Sequence, residues 1–230
     1  MKTIDNNKIL DNMIEKYNIL DLFSNDIRPY LKLYYYRKND YIVKYGDKLD
    51  TFLFQVSGKA KVYVPTSNGK SLLLTFYEPF KIFGDLEFIN DIVANTNVQV
   101  VEDTYCVGIP LQVLWEKFYD DPKFLRFVCM SLGDKLMQSS NNSSINLLFP
   151  LENRLSSYIM ATAERKKQED GQLVFKGNLT EISELLGTSY RHLLRTLQNL
   201  CEKEILGKIE GSYIIIDEGK LKELASEVYQ

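Results

Sequence analysis

The sequence is short of the residues from which most metal and catalytic sites are built. It contains one histidine, His192, and three widely separated cysteines, Cys106, Cys129 and Cys201. A four-ligand zinc or iron–sulfur site, a disulfide framework and a catalytic triad all need more such residues. We therefore predict reduced, mostly buried thiols and no metal, and expect the histidine to lie at the surface or to contact a phosphate.

Long apolar runs and positive net charge are also missing. The opening MKTIDNNKILDNMIEKYNIL lacks the basic start and apolar core of a secretory signal, and no run approaches the roughly 20 apolar residues that cross a bilayer. We expect a cytoplasmic protein without a membrane partner. The formal net charge of −3 disfavours nucleic-acid binding without excluding it, because phosphate affinity depends on where cations lie.

The spacing of apolar residues along the chain changes twice, which predicts an α+β fold. Residues 7–21 have helical apolar spacing. From 31 to about 110, short β-branched stretches alternate with Gly and Asn turns, which indicates an N-terminal antiparallel β-roll of the double-stranded jelly-roll type. A long helix is predicted from Pro122, after an Asp121 cap. Its apolar stripe, which we expect to pair two copies of the chain, consists of Leu125, Val128, Leu132 and Leu136.

The long helix continues into a polar run, Ser139 to Ser144, of residues that are poor helix formers. The run is open to three interpretations: it lines a ligand, it forms an interchain contact, or it is a hinge. A break is predicted at Phe149 and Pro150. We thus divide the chain into a sensor roll with its N-terminal helix (1–121), a central dimerisation helix and hinge (122–149), and a third domain (150–230).

The third domain has the pattern of a winged helix-turn-helix. Asn178 and Glu181 have the spacing of a capping box before LTEISELLG, Gly187 ends that helix, and a second helix begins after Thr188 or Ser189. A strand, a Glu210-Gly211 turn and a second strand follow as the wing.

The second helix of this motif predicts a DNA-reading face. If Leu193, Leu194, Leu197 and Leu200 anchor it, the opposite side shows Tyr190, Arg191, Arg195 and Gln198 or Asn199. Arginine matches the major-groove acceptors of guanine, Gln or Asn can pair with adenine, and Ser189 can meet a phosphate. The predicted DNA-binding residues are Asn178, Ser189, Tyr190, Arg191, His192, Arg195 and Gln198.

Four segments in this order, GDKLDTFLFQVSGKAKVYV, FGDLEF, DPKFLRFV and NLTEISELLGTSYRHLLRTLQNL, resemble the Crp/Fnr superfamily of bacterial transcription regulators. The resemblance runs from about residue 20 to 220. It implies a homodimer that pairs through the central helix, senses a signal through the roll and binds double-stranded DNA at a two-fold symmetric operator, with RNA polymerase as a further partner of an activator. On the second helix of the winged helix-turn-helix, the resemblance implies guanine contact for Arg195 alone.

The effector region departs from the family. Cyclic-AMP-binding members use a Gly-Glu pair for ribose, matched here by Gly84 and Asp85, and an Arg-Ser pair for phosphate, replaced here by Asn95 and Thr96. No Lys or Arg occurs between Lys81 and Lys117, so a buried phosphodiester would lack a cation. We predict no cyclic AMP, heme or iron–sulfur cluster. Ser139 and Ser140 match ligand-facing positions, which leaves open an unknown, non-cAMP effector.

Two other classes of function remain as alternatives. One is a small-molecule-binding module or metal enzyme built on the roll, which generally needs two or more histidines where this roll has none. The other is an interaction scaffold whose winged helix contacts protein instead of DNA. We therefore predict that the chain is not an enzyme, and expect steep salt dependence of binding if DNA is the partner.

Overall fold

The computed structural model describes residues 2–66, 69–165 and 171–225. It divides into two compact units, Met1–Val64 with Phe76–Ser139, and Pro65–Thr75 with Ser140–Gln230. Among the helices in these ranges, none is long and apolar enough to cross a membrane.

The first unit is the predicted antiparallel β-roll with helices at both ends. Its elements are β1 Lys2–Ile4, α1 Asn7–Lys16, 3₁₀ turns at Ile19–Leu22 and Arg28–Tyr30, β2 Lys32–Tyr36, β3 Tyr41–Val43, β4 Thr51–Gln55, β5 Lys59–Pro65, β6 Ser71–Tyr77, β7 Lys81–Phe83, α2 Asp85–Asn90, β8 Asn97–Glu102, β9 Thr104–Pro110, α3 Leu111–Lys117 and α4 Pro122–Leu148. The loop of the β5–β6 hairpin, most of β6 and the end of α4 belong to the second unit.

The strands form two sheets. One has the order β1-β2-β9-β4-β7 and the other β3-β8-β5-β6. β4 lies between β9 and β7 and is buried along its whole length. Its Phe52 and Phe54 belong to a core that also includes Phe124 from α4, whose ring centroid lies 5.3 Å from that of Phe52 and 4.6 Å from that of Phe23.

The start of α4 is the one predicted. The Asp121 carboxylate accepts the backbone N–H groups of Lys123 and Phe124, both at 3.0 Å, and also binds the backbone N–H and hydroxyl of Ser24. It therefore caps the helix and joins it to the preceding chain. Burial favours protonation of Asp121, but the hydrogen bonds led by that from Phe124 outweigh it and lower its pKa.

The predicted dimerisation stripe of α4 packs largely on its own roll, and Val128 cannot contact a second copy. Val128 is fully buried in the core of its own roll, and Leu125 and Leu132 pack against the same core. An amphipathic helix next to a domain buries its apolar stripe against that domain. Leu136 alone of the four is well exposed, at 73%.

A second row of α4 faces away from the roll. Met130 and Met137 are each 63% exposed, and with Gly133 between them they are spaced by three and four residues. Such spacing is that of a seam between paired helices. Cys129 is also exposed, contrary to the expectation of mostly buried thiols, whereas Cys106 is buried and Cys201 is half-buried. We call Met130, Gly133 and Met137 the outer row.

The polar run does not interrupt α4, which continues to Leu148. Asn142 is buried, and its side-chain amide donates to the carbonyl oxygen of Leu74 in β6 at 2.6 Å. This hydrogen bond gives one residue of the run a structural role. Ser139 and Ser140 lie at the surface, while the side chains of Ser143 and Ser144 lie outside the described residues. The break predicted at Phe149 and Pro150 is confirmed, although the two compact units divide earlier, between Ser139 and Ser140.

The second unit contains the predicted winged helix-turn-helix. Its elements are α5 Leu151–Thr162, β10 Glu164–Arg165, β11 Leu173–Phe175, α6 Leu179–Leu185, α7 Tyr190–Glu202, β12 Leu206–Ile209, β13 Ser212–Ile215 and α8 Glu218–Ala225. The strands form one sheet of order β10-β11-β13-β12, in which β12 and β13 are the wing. Because α5, α6 and the wing strand β12 pack against α7, one face of α7 is buried and the opposite face is left to solvent.

Candidate nucleic-acid interface

The turn between α6 and α7 is fixed by its own backbone. Gly187 has φ +60°, and its N–H donates to the carbonyl of Glu184 while the N–H of Thr188 donates to that of Ser183, both at 2.9 Å. These two bonds are the Schellman pattern that ends a helix on a left-handed glycine. The N-cap of α6 is Asn178, as predicted: its side-chain oxygen accepts the N–H of Thr180 at 3.0 Å. Asn178 is exposed at this end of α6.

The first turn of α7 combines a cap with an oriented histidine. Ser189 Oγ accepts the N–H of His192 at 3.2 Å, and the hydroxyl of Thr188 lies 3.3 Å from Nδ1 of the same histidine. Ser189 and His192 are both exposed. A helix start with an exposed hydroxyl group suits a phosphate oxygen, because the first backbone N–H groups of a helix have no carbonyl partner within it.

One exposed row of α7 carries the reading groups predicted from sequence. Arg191, Arg195, Gln198 and Glu202 succeed one another at intervals of four, three and four residues, so they share a face. All four are exposed, and Tyr190, 48% exposed, stands beside the row at the helix start. Gln198 Nε2 donates to Glu202 Oε1 at 3.0 Å, which uses one of the two N–H donors of its amide group. We call Arg191, Arg195 and Gln198 the reading row.

The opposite face of α7 is anchored almost as predicted. Leu193, Leu197 and Leu200 are buried, at 1% exposure or less. Leu194 is 36% exposed, so its assignment as an anchor is wrong. Thr196 is buried in its place, and its hydroxyl donates to the carbonyl of His192 at 3.0 Å, which satisfies a polar group on the buried side.

A cavity of about 550 Å³ lies beside the helix-turn-helix turn, within the second unit. The tip of the β5–β6 hairpin forms one wall with Lys70, Ser71 and Leu72, and the turn forms the other with Thr188 and Ser189. No local pattern predicts this cavity, because its two walls lie far apart in the chain.

The predicted effector residues are placed on different parts of the roll. Gly84, with φ +95°, starts α2, and a Cβ there would lie 3.3 Å from the Cα of Phe52. Asp85 follows and is 3% exposed. Asn95 and Thr96 lie before β8 in the other sheet; Asn95 is exposed and Thr96 half-buried. The hydrogen bonds described for Asp85 lead to neither of them.

Asp85 is bound by Lys135, a residue that the sequence did not single out. Lys135 Nζ donates to both carboxylate oxygens, at 2.9 and 2.8 Å, and to the carbonyl of Ile82 at 2.9 Å. The surroundings are buried: burial, aided by the charge of Asp85, raises the pKa of Tyr77 to about 12, and burial raises the pKa of Glu87. The two partners are 50 positions apart in sequence, so no local signal reveals the pair. Among the described residues, no group of three His, Cys, Asp or Glu side chains could hold a metal ion.

Known proteins match both parts of the chain. Residues 33–121 match the cyclic nucleotide-binding domain, and residues 153–224 match the Crp-like helix-turn-helix domain. The regulatory protein YeiL of Escherichia coli O157:H7 is 29% identical over 208 residues, which are 90% of this chain and 92% of that protein. A CRP-like cAMP-activated global transcriptional regulator of Mycobacterium tuberculosis is 22% identical over 178 residues, 76% of this chain and 79% of that one.

The fold is shared with solved structures as well. A transcriptional regulator of the CRP/FNR family from Thermus thermophilus superposes with a TM-score of 0.65 at 17% identity, over 84% of this chain and 98% of the other. The resemblance stated from four sequence segments is thus confirmed over both domains. The chain belongs to the Crp/Fnr superfamily of DNA-binding transcription regulators, with a cyclic nucleotide-binding-type roll followed by a Crp-like helix-turn-helix.

Proposed function

We propose that the protein regulates transcription by binding a two-fold symmetric DNA site as a homodimer, with one α7 helix of each copy in the major groove. The observation that carries this proposal is the reading row: two arginines and a glutamine on the exposed face of a helix whose leucines are buried. These side chains are of the types that contact base edges. A regulator of this kind works on the chromosome, so we place it in the cytoplasm, with RNA polymerase as a partner if it activates.

The roles within the interface are divided by position. Arg195 lies one turn into α7 and is proposed to read guanine. Ser189 and His192, at the helix start, are proposed to contact phosphate, with Asn178 at the start of α6 as a further polar contact, because helix N-termini and hydroxyl groups position a protein on the backbone without reading sequence. Tyr190 and Arg191 lie between Ser189 and His192 in the sequence, and Arg191 is proposed to contact phosphate as well.

The proposed dimer uses the outer row of α4, with Leu136 at its edge. Met130 and Met137 expose most of their side chains, and Gly133 lets a second helix approach closely. Burying each methionine against a second copy would contribute about 1.5–3 kcal/mol. Val128, Leu125 and Leu132 support this face from behind by fixing the helix to the roll.

The test begins with selection of bound fragments from genomic DNA by the purified protein, which yields the operator. Binding is then measured on operator and on random DNA over a range of salt concentrations. We expect a steep fall in affinity as salt rises, because phosphate contacts release counterions, and an enriched inverted repeat. Recovery of no enriched sequence by a folded dimer would reject the proposal and favour a protein-binding role for the winged helix.

Arg37→Ala provides the matched control for the arginines of α7. Arg37 is exposed on the roll, outside the winged helix-turn-helix. Its loss should leave operator affinity unchanged, whereas Arg195→Ala should weaken it. Equal effects of the two substitutions would mean that the general charge of the protein, not the reading row, governs binding.

A further inference from the structure

The contact between Lys135 and Asp85 uses every hydrogen-bond donor of the lysine. An ammonium group has three N–H donors, and Lys135 has three acceptors within 2.9 Å, namely the carbonyl of Ile82 and both oxygens of Asp85. The Asp85 side chain is 4% exposed and that of Lys135 is 20% exposed. The lysine therefore enters from the solvent side and closes over a buried carboxylate.

The position of Lys135 along α4 gives this ion pair a mechanical role. Leu132 is the last apolar side chain of α4 that packs on the roll core in the described residues, and Lys135 follows almost one turn later. Its side chain reaches back to the junction of β7 and α2, where Gly84 is held close to β4. The hydrophobic core thus fixes the first half of the helix, and the ion pair extends that attachment toward the middle of α4.

A small molecule that needs the carboxylate of Asp85 would have to displace this internal cation. An intramolecular partner has a high effective concentration, commonly in the millimolar range for flexible attachments. The cation also lies over the ring of Tyr77, with Nζ 5.9 Å from its centroid, which adds a favourable contact for a positive charge. Asp85 consequently selects a cation, and the chain supplies that cation itself.

We propose that Lys135 is a built-in substitute for an effector: its ammonium group holds α4 to the β7–α2 junction, so the protein binds its operator with no small molecule at Asp85. This inference rests on the proposed DNA-binding function and specifies its regulation. It also assigns a chemical class to the site: once the lysine side chain is removed, Asp85 should accept a primary alkylammonium ion.

The experiment compares the operator affinity of wild type, Lys135→Ala and a control, Lys123→Ala. Each protein is first unfolded in denaturant and refolded in clean buffer, which removes bound small molecules. Lys123 is an exposed lysine on the same helix. We expect refolded wild type and Lys123→Ala to bind like native protein. Lys135→Ala should bind more weakly by roughly 5- to 150-fold, the usual range of coupling between sites.

Chemical rescue distinguishes the ammonium group from general stability. Lys135→Ala removes a chain equivalent to propylammonium and opens a partly exposed space above Asp85. Propylammonium should restore operator affinity to Lys135→Ala and leave wild type unchanged, whereas 1-propanol at the same concentration should not. If Lys135→Ala does not fold, the doubly neutral variant Asp85→Asn with Lys135→Gln takes its place, and the same loss of affinity is expected.

A second readout does not depend on DNA. If the ion pair holds α4 to the β7–α2 junction, backbone hydrogen exchange in α4 should be faster in Lys135→Ala than in wild type. Propylammonium should slow that exchange again. Unchanged exchange and unchanged affinity in a folded variant would overturn the inference, as would refolded wild type that regains binding only with a small-molecule extract. Failure of wild type to bind any DNA, with or without that extract, would instead reject the proposed function.

Discussion

Arg154 and Leu186 are joined across the C-terminal unit by a hydrogen bond of 2.5 Å from guanidinium Nη1 to the backbone carbonyl. Leu186 is the residue at which α6 ends, directly before the left-handed Gly187. A cation at this end of a helix also complements the helix dipole. Arg154, on α5, therefore positions the turn that sets the start of α7.

Replacing Arg154 by Met should loosen the helix-turn-helix turn. We expect a loss of about 1.5–3 kcal/mol in unfolding free energy, the range for a hydrogen bond to a charged group. DNA affinity should fall on all sequences alike, because the arginine touches no base in this arrangement. Denaturant unfolding and binding to operator and random DNA measure the two effects.

Arg165→Met is the matched control. Arg165 pairs with Glu218 at 3.4 Å, and the two side chains are 64% and 49% exposed, so its loss should cost less than about 1 kcal/mol. An equal loss of stability in both variants would show that the partly buried hydrogen bond of Arg154 contributes no more than an exposed ion pair.

The parts of the fold that follow from local sequence were predictable. The Asp121 cap, the break at Phe149 and the Gly187 turn each depend on neighbouring residues, and the anchors Leu193, Leu197 and Leu200 follow from helical periodicity. Short elements without strong patterns, such as β1, α2, α3 and α8, were missed because tertiary packing decides them.

The errors have a common origin in tertiary contacts. Sequence periodicity identifies an apolar stripe on α4 but does not say whether its own domain or a second copy covers that stripe. Val128 is buried in the core of its own roll. Leu194 fits the same helical spacing as its neighbours yet lies at the edge of the buried face. The Lys135–Asp85 pair joins residues 50 positions apart, and only the folded chain brings them together.

Arg195 and Arg191 should differ in what they recognise. If Arg195 makes a bidentate contact with guanine, Arg195→Ala should reduce the binding free energy by about 1–3 kcal/mol at one operator position and relax the base preference there. Arg191→Ala should weaken binding on all sequences and reduce the salt slope by about one, as expected for a phosphate contact. Selection of randomised operators by each variant checks the base preference, and equal loss on operator and random DNA would reject base reading by Arg195.

The outer row of α4 should hold the dimer together. Met137→Glu places a charge in the proposed seam, and we expect at least about a tenfold weaker dimer, since each 1.4 kcal/mol lost is a factor of ten. Sedimentation at several concentrations measures this. Tyr45→Glu is the control, because Tyr45 is 55% exposed and lies in the loop between β3 and β4, not on α4. A dimer that tolerates Met137→Glu would place the interface elsewhere.

Cys129 offers a direct probe of helix pairing. It is the only fully exposed cysteine of the three and lies next to Met130. In a parallel pair whose seam includes Met130, Cys129 lies at the edge of that seam in each copy, so a short bis-maleimide that spans the pair should give a covalent dimer. Cys129→Ser should abolish the product and Met137→Glu should reduce it. Efficient cross-linking of Cys129→Ser would point to Cys201 and to a different contact.

Asp121 should make stability depend on pH through the start of α4. Its pKa is lowered in the folded protein, because hydrogen bonds from Phe124, Ser24 and Lys123 outweigh burial. A carboxylate with a lowered folded pKa stabilises the protein above its unfolded pKa of about 3.9, and that contribution is lost as pH falls through the folded value. Asp121→Asn keeps a capping oxygen but loses the charge.

We therefore expect Asp121→Asn to unfold at lower urea concentration than wild type at pH 7, by about 0.3–1 kcal/mol, the usual contribution of a negative charge at a helix N-terminus. The difference should shrink below about pH 4 as wild type is protonated. Asp120→Asn, an exposed neighbour, should show no such difference. A gap that stays constant from neutral pH down to about pH 3 would mean that the amide loses packing and not charge, and the hydrogen-bonded carboxylate would no longer explain how the long helix begins.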